Sequence, residues 1–144
     1  MRVATILAIK GSTVATIDPS ANVADAIDEL RLRGVGALVV SRDGITIDGI
    51  VSERSVLCRI AERGERALHD DVTEVMLVNG PECSPDDAVA EVMATMTAQR
   101  VRHVPVTSLG ILAGIVSIGD VVKSRVDELE AERQHLHDYV TTGR

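Results

Sequence analysis

The tetrapeptide Ser117-Ile118-Gly119-Asp120 stands where an apolar, β-branched run gives way to a helical pattern, and it carries the clearest chemistry in the chain. The first turn of a helix presents free backbone N–H groups and the positive end of the helix dipole, which together suit a phosphate. A serine there adds a hydroxyl donor. An aspartate repels phosphate, but it can accept two hydrogen bonds from a ribose diol. A nucleoside phosphate supplies both partners. The same spacing also satisfies a capping box, so the residues alone leave a ligand role and a purely local role both open. A second run, Ser52-Glu53-Arg54-Ser55, has serine where the first has aspartate. A hydroxyl makes one weak contact in place of a paired one. Arg54 can reach a phosphate or remain a solvated helix residue. Arg100, Arg102 and His103 gather three potential donors ahead of Val104-Pro105. They suit an anion, or the surface carboxylates Asp86, Asp87 and Glu91. No nucleophile–base arrangement, phosphate-binding glycine loop or dinucleotide fingerprint is present, so the sequence points away from an enzyme. His135 and His137 are two apart and do not share a helix face, so no metal site is expected.

The balance of the 144 residues narrows the classes further. The net charge is −7, and aromatics make up 1%, Tyr139 alone. Nucleic-acid binding needs a basic face and often stacking rings, and an anionic membrane surface also prefers a basic chain. No apolar run approaches the ~18 residues that span a bilayer. Met1–Leu7 has one arginine and a short apolar stretch, then meets Lys10-Gly11-Ser12 without a cleavage pattern, so it does not read as a signal peptide. A cytoplasmic location is expected, with Cys58 and Cys83 as reduced, small core residues.

The elements that must position these residues occur twice. Pro19 pairs with Pro85 at an offset of 66, as do Val23 with Val89, Ala26 with Val92, Ile27 with Met93 and Leu30 with Met96. The offset carries Gly36-Ala37-Leu38-Val39-Val40 onto Arg102-His103-Val104-Pro105-Val106. After one deletion, Gly49-Ile50-Val51-Ser52 falls on Gly114-Ile115-Val116-Ser117. Each unit reads β-α-β-β-α. A short strand spans residues 13–17. A helix is signalled by Asp18-Pro19 or Ser84-Pro85 and by apolar positions spaced 3, 1, 3. Gly34 stops the first of these helices, and a buried strand follows over 35–40. Turns at Arg42-Asp43-Gly44 and Ser108-Leu109-Gly110 lead to return strands over 45–51 and 111–116, and a second helix starts near Ser52 and Ser117. Residues 71–76 suit one helical turn and Asn79-Gly80-Pro81 a linker. This divides the chain into residues 1–66, a linker over 67–78, residues 79–125, and a C-terminal helix and tail over 126–144. Neither half covers its own sheet, so the halves are expected to share one core. Val122, Val126, Leu129, Leu136 and Val140 fall near a heptad spacing, interrupted by Arg133.

These pieces, in this order and duplicated, resemble a tandem pair of cystathionine β-synthase (CBS) domains, the arrangement called a Bateman module. The resemblance rests on Asp18-Pro19 with its helix, Gly36–Val40, Gly49–Arg54, Val72–Met76, Arg102–Val106 and Gly114–Val122, and covers roughly residues 3–125. It implies an α/β (α+β) fold of two units related by a pseudo-two-fold, disc-like homodimers, and clefts that bind AMP, ADP, ATP, S-adenosylmethionine or NAD-type ligands. It implies a regulatory or energy-sensing module with no obligatory cofactor, read by a partner protein. The residues expected to hold the nucleotide are Ser117, Asp120, Arg102, His103, Ile115 and the Val104-Pro105 wall, with Thr16, Ser52 and Arg54 from the first unit. Ser55 departs from the family's ribose-binding aspartate, and Glu82 stands where the family often has threonine. Both departures leave open the alternative of a dimeric scaffold that has lost its ligand.

Overall fold

Local signals set the helix ends in this computed structural model, which describes residues 1–143. Helix α2 (Val23–Arg33) is capped by Asn22. Its side chain accepts from the Asp25 N–H, while Asp25 accepts from the Asn22 N–H. Gly34 ends the helix at φ 62°, a left-handed conformation that glycine adopts without strain. The helix begins a turn later than Asp18-Pro19 suggests. Those residues form a separate turn in which Asp18 accepts from the Ser20 N–H and hydroxyl. Ser84-Pro85 behaves alike: Asp87 accepts from the Ser84 N–H, and α5 (Val89–Gln99) follows. Helix α3 (Glu53–Arg63), the short α4 (Val72–Val75) and α6 (Ile118–Thr142) lie where the pattern predicts them. A helix α1 (Val3–Lys10) and a 3₁₀ helix (Gly64–His69) were not foreseen.

The first sheet has order β1 (Thr16–Ile17), β2 (Ala37–Val40), β3 (Gly49–Ser52), with β1 parallel and β3 antiparallel to β2. Strand β3 is shorter than the expected 45–51 because the Asp43 carboxylate closes the preceding loop. It accepts from the N–H groups of Ile45 and Thr46 and from the Thr46 hydroxyl, and these donors pull its pKa down to about 2. The second sheet is an antiparallel pair, β4 (His103–Ser108) and β5 (Ile111–Ser117). Its would-be first strand is reduced to one parallel bridge, Cys83 to Val106.

The apolar interior is two cores, not one. Ile17, Val23, Leu38, Val40, Val51 and Val72 belong to the first. Val3, Ile6, Val89, Val104, Val106 and Val116 belong to the second. Val3 and Ile6, at the start of the chain, therefore lie in the core of the second half. The Val3 N–H donates to the Asp87 carbonyl and the Val89 N–H to Met1, just as Val72 donates to Ala21 and Val23 to Asp70 in the first half. Helices α1 and α4 play the same part, one for each half. Each closes a core that the unit's own two helices leave open, which is why the halves need not merge their interiors. Burying an aliphatic side chain such as Val3 contributes about 2 kcal/mol.

The closing segments run tight against a return strand, α1 itself in the second half and Met76-Leu77, just after α4, in the first. A Cβ added at Gly49 would lie 2.7 Å from the Met76 sulfur and 2.9 Å from the Leu77 carbonyl oxygen. One added at Gly114 would lie 2.7 Å from Leu7 Cδ2. The glycine of the repeated Gly-Ile-Val-Ser motif thus admits the helix segment that covers each sheet. Gly49→Ala should destabilise by about 1–3 kcal/mol, since backbone must shift, and Gly114→Ala by less, since a leucine tip can turn aside. Urea unfolding of the two variants checks the order.

Candidate functional site

Strand alternation decides which residues face the space between the halves. Leu38, Val40 and Val51 point into the first core and Val104, Val106 and Val116 into the second. Their neighbours Ala37, Val39, Ile50, Ser52, His103, Pro105, Ile115 and Ser117 therefore point the other way, toward the shared face. Thr16 joins them, since Ile17 beside it is a core residue. Six of the expected site residues are thus brought onto one face: Thr16, Ser52, His103, Pro105, Ile115 and Ser117. Val104 is not among them. It is 1% exposed within the second core, because period-two alternation forbids adjacent residues from lining the same wall. Arg54 and Arg102 are exposed, and among the described residues neither forms a salt bridge. Asp86 pairs with Arg2 instead, and Asp87 is occupied by its turn.

At the start of α6, Ser117 and Asp120 form a complete capping box. The Ser117 Oγ accepts from the Asp120 N–H at 3.2 Å and Asp120 Oδ2 accepts from the Ser117 N–H at 2.8 Å. Lys10, at the end of α1, places its ammonium 2.7 Å from the same Oδ2 and 3.0 Å from the Ile115 carbonyl oxygen. Asp120 Oδ1 has no hydrogen-bond partner among the described residues, and it is not sealed off from solvent. Burial raises the Asp120 pKa, but Lys10 and the Ser117 N–H outweigh it, and the carboxyl stays below its ordinary range. The local role and an open acceptor thus coexist in one side chain. Lys10 was missed in the sequence because its partner is 110 residues away. Its only local signal is a cation just before Gly11. In the first unit, Ser52 and Ser55 form the matching capping box of α3: the Ser52 Oγ accepts from the Ser55 N–H, and the Ser55 Oγ accepts from the Ser52 N–H and donates to the Ser52 carbonyl. No carboxylate stands there.

His103 stands against Gly36 of the first half. A Cβ at Gly36 would be 3.1 Å from its ring and 3.6 Å from the Glu53 carboxylate, so glycine makes room for the imidazole. A cleft of about 90 Å³ opens beside it, lined by Gly49, Ile50, Leu77, Pro81, Glu82 and Pro105 among others. Glu82 therefore lines the cleft. Cys83 next to it is buried, and burial, with Asp87 and Glu82, pushes its thiol up to about 12, so it is inert. Cys58, expected in the core, is instead exposed on the outer side of α3. No helix among the described residues is long and apolar enough to cross a membrane.

Burial lowers the pKa of His103, against an opposing pull from Glu53 and Asp120 and with help from Lys10 and Arg102. The unfolded chain then binds the proton more tightly than the folded one. The histidine's contribution is fully present above its ordinary value of about 6.5 and is lost as pH falls through the lower folded value. Melting temperature should drop as pH falls below about 7, and less steeply in His103→Gln. Equal slopes in the two proteins would remove His103 as the cause.

Comparison with known proteins fits this geometry. The CBS domain pattern matches residues 9–62 and 72–127. The crystal structure of a CBS-domain containing protein from Agrobacterium tumefaciens superimposes with a TM-score of 0.84 at 37% identity, covering 87% of this chain and 99% of that one. The mitochondrial CBS domain-containing protein CBSX3 of Arabidopsis thaliana is 35% identical over 123 residues, 83% of this chain but 60% of its own length. A CBS domain protein from Pyrobaculum aerophilum, solved complexed with AMP, shares the fold at a TM-score of 0.74 and 24% identity, covering 83% of this chain and 89% of that one. With two such units, closed reciprocally by α4 and α1, the chain belongs to the CBS domain family as a tandem pair.

Proposed function

We propose that this chain is a non-enzymatic regulatory module that binds an adenosine nucleotide, AMP, ADP, ATP or a relative, at the face between its halves. The observation that carries the proposal is Asp120. Its Oδ2 is held by Lys10 and the Ser117 N–H, its Oδ1 is open, and it stands in the first turn of a long helix. Oδ1 is the ribose acceptor. The Ser117 hydroxyl, the first N–H groups of α6 and the Lys10 ammonium form a phosphate corner. Pro105 and Ile115 supply the apolar wall for adenine, since the chain has no Phe or Trp and its one tyrosine, Tyr139, lies near the end of α6. The AMP bound to the P. aerophilum protein of the same fold supports the ligand class.

The cleft is smaller than the ~300 Å³ that a nucleotide-sized ligand needs. Ser117 and Asp120 do not line it, so on this reading a nucleotide that spans the cleft and the start of α6 selects a more open arrangement of the two sheets. That change is the signal a partner protein or a second copy can read. The small cleft equally favours a second reading, in which the pair is a scaffold without ligand. Thermal shift with millimolar AMP, ADP, ATP, S-adenosylmethionine and NAD separates the two: saturation at 100 times Kd adds about 2.7 kcal/mol, several degrees of Tm, and no shift with any of them supports the scaffold. On the first reading, calorimetry should show AMP affinity falling at least tenfold in Asp120→Ala and unchanged in Ser55→Ala. Equal losses would overturn the assignment to the second unit's helix.

A further inference from the structure

We propose that residues 122–140 of α6 pair with the same segment of a second copy as a parallel, in-register, two-stranded coiled coil. Helix α6 runs to Thr142, yet only its first part touches its own chain. Val121 and Ser124 are buried, and the Glu128 carboxylate holds the N-terminal ammonium at 2.6 Å. Residues 129–143 are all exposed. A lone helical overhang of this length is marginally stable in water. It also carries an uncovered stripe on the face turned away from the domain. Val122, Val126, Leu129, Arg133, Leu136 and Val140 follow a strict 4-3-4-3-4 spacing, and the apolar ones are between 46% and 79% exposed.

The residue types choose the occupant. The valines, Val126 and Val140, fall at the a positions of the heptad, and Leu129 and Leu136 at d, a combination that favours two parallel strands. The flanking charges agree. In a parallel pair, Arg125 meets the partner's Glu130 and Glu132 meets the partner's His137 across the seam. With the same layers matched antiparallel, Glu130 and Glu132 would each face its own copy, and Lys123 would face His137. Arg133 is the one polar a residue. Its long stem lets the guanidinium leave the seam toward the partner's Glu132, so it fixes register at some cost in stability. The stripe therefore fits a copy of itself in one orientation and one register. This pairing does not depend on the ligand reading.

Site-directed cross-linking tests it. In a Cys58→Ser background, with Cys83 buried, Leu136→Cys places a thiol at the seam. Asp138→Cys places one on the opposite face of the same turn. In-register parallel pairing predicts a disulfide-linked dimer from Leu136→Cys under mild oxidation and little from Asp138→Cys, because the facing d positions meet disulfide geometry. Absence of the Leu136→Cys dimer, or equal linkage of the two variants, would overturn the proposal. Separately, Leu136→Glu should weaken self-association at least tenfold in sedimentation while leaving the unfolding curve of the globular part unchanged. Unchanged association would also overturn it.

Discussion

Everything in this molecule depends on two short helices reaching across the chain. Each half presents a small sheet and two flanking helices, and each leaves its core open on one side. Helix α4 closes the first half and α1 closes the second, with the same pair of backbone hydrogen bonds in each place. The contacts are tight enough that Gly49 is needed for reasons of space rather than of torsion, and Gly114 lies close against the Leu7 tip. Because α1 comes from the opposite end of the chain, the second half cannot finish folding until residues 3–10 arrive. The first half is closed by the segment that follows it directly.

The same closure builds the site. Lys10 is the last residue of α1, and its docking brings an ammonium to the mouth of α6, against Asp120. A carboxylate half removed from water would otherwise drift toward its neutral form. Held ionised by Lys10 and by its own capping bond, it remains a competent acceptor. The first half has no counterpart: α4 is only four residues long, and Ser55 stands where a carboxylate would be. A pseudo-symmetric fold has therefore produced two unlike corners, one holding a Lys10–Asp120 pair and one holding a serine in the place of Asp120.

Much of this was legible in the residues. The duplication, the order of elements within a unit, the capping residues Ser52 and Ser117, and the turns all follow from local periodicity and hydrogen-bond chemistry, which act over a few residues. Strand alternation also placed most of the expected site residues on one face. The errors have local causes too. Val104 was grouped with Pro105 although adjacent strand residues diverge. Asp18-Pro19 formed its own turn because Asp18 found Ser20. Strand β3 was shortened because the Asp43 carboxylate closed the preceding loop with its own hydrogen bonds.

The sequence by itself determined that the chain is a repeated unit with a helix-borne serine and aspartate, and that adenine, if held, must be held by aliphatic surface. Only the tertiary structure decided which helix covers which sheet, that there are two cores instead of one, and that Lys10 is the partner of Asp120. The physical reason is range. Propensity, capping and periodicity are written in neighbours, whereas a residue 110 positions away is chosen by what fits in the space that remains when both cores are filled.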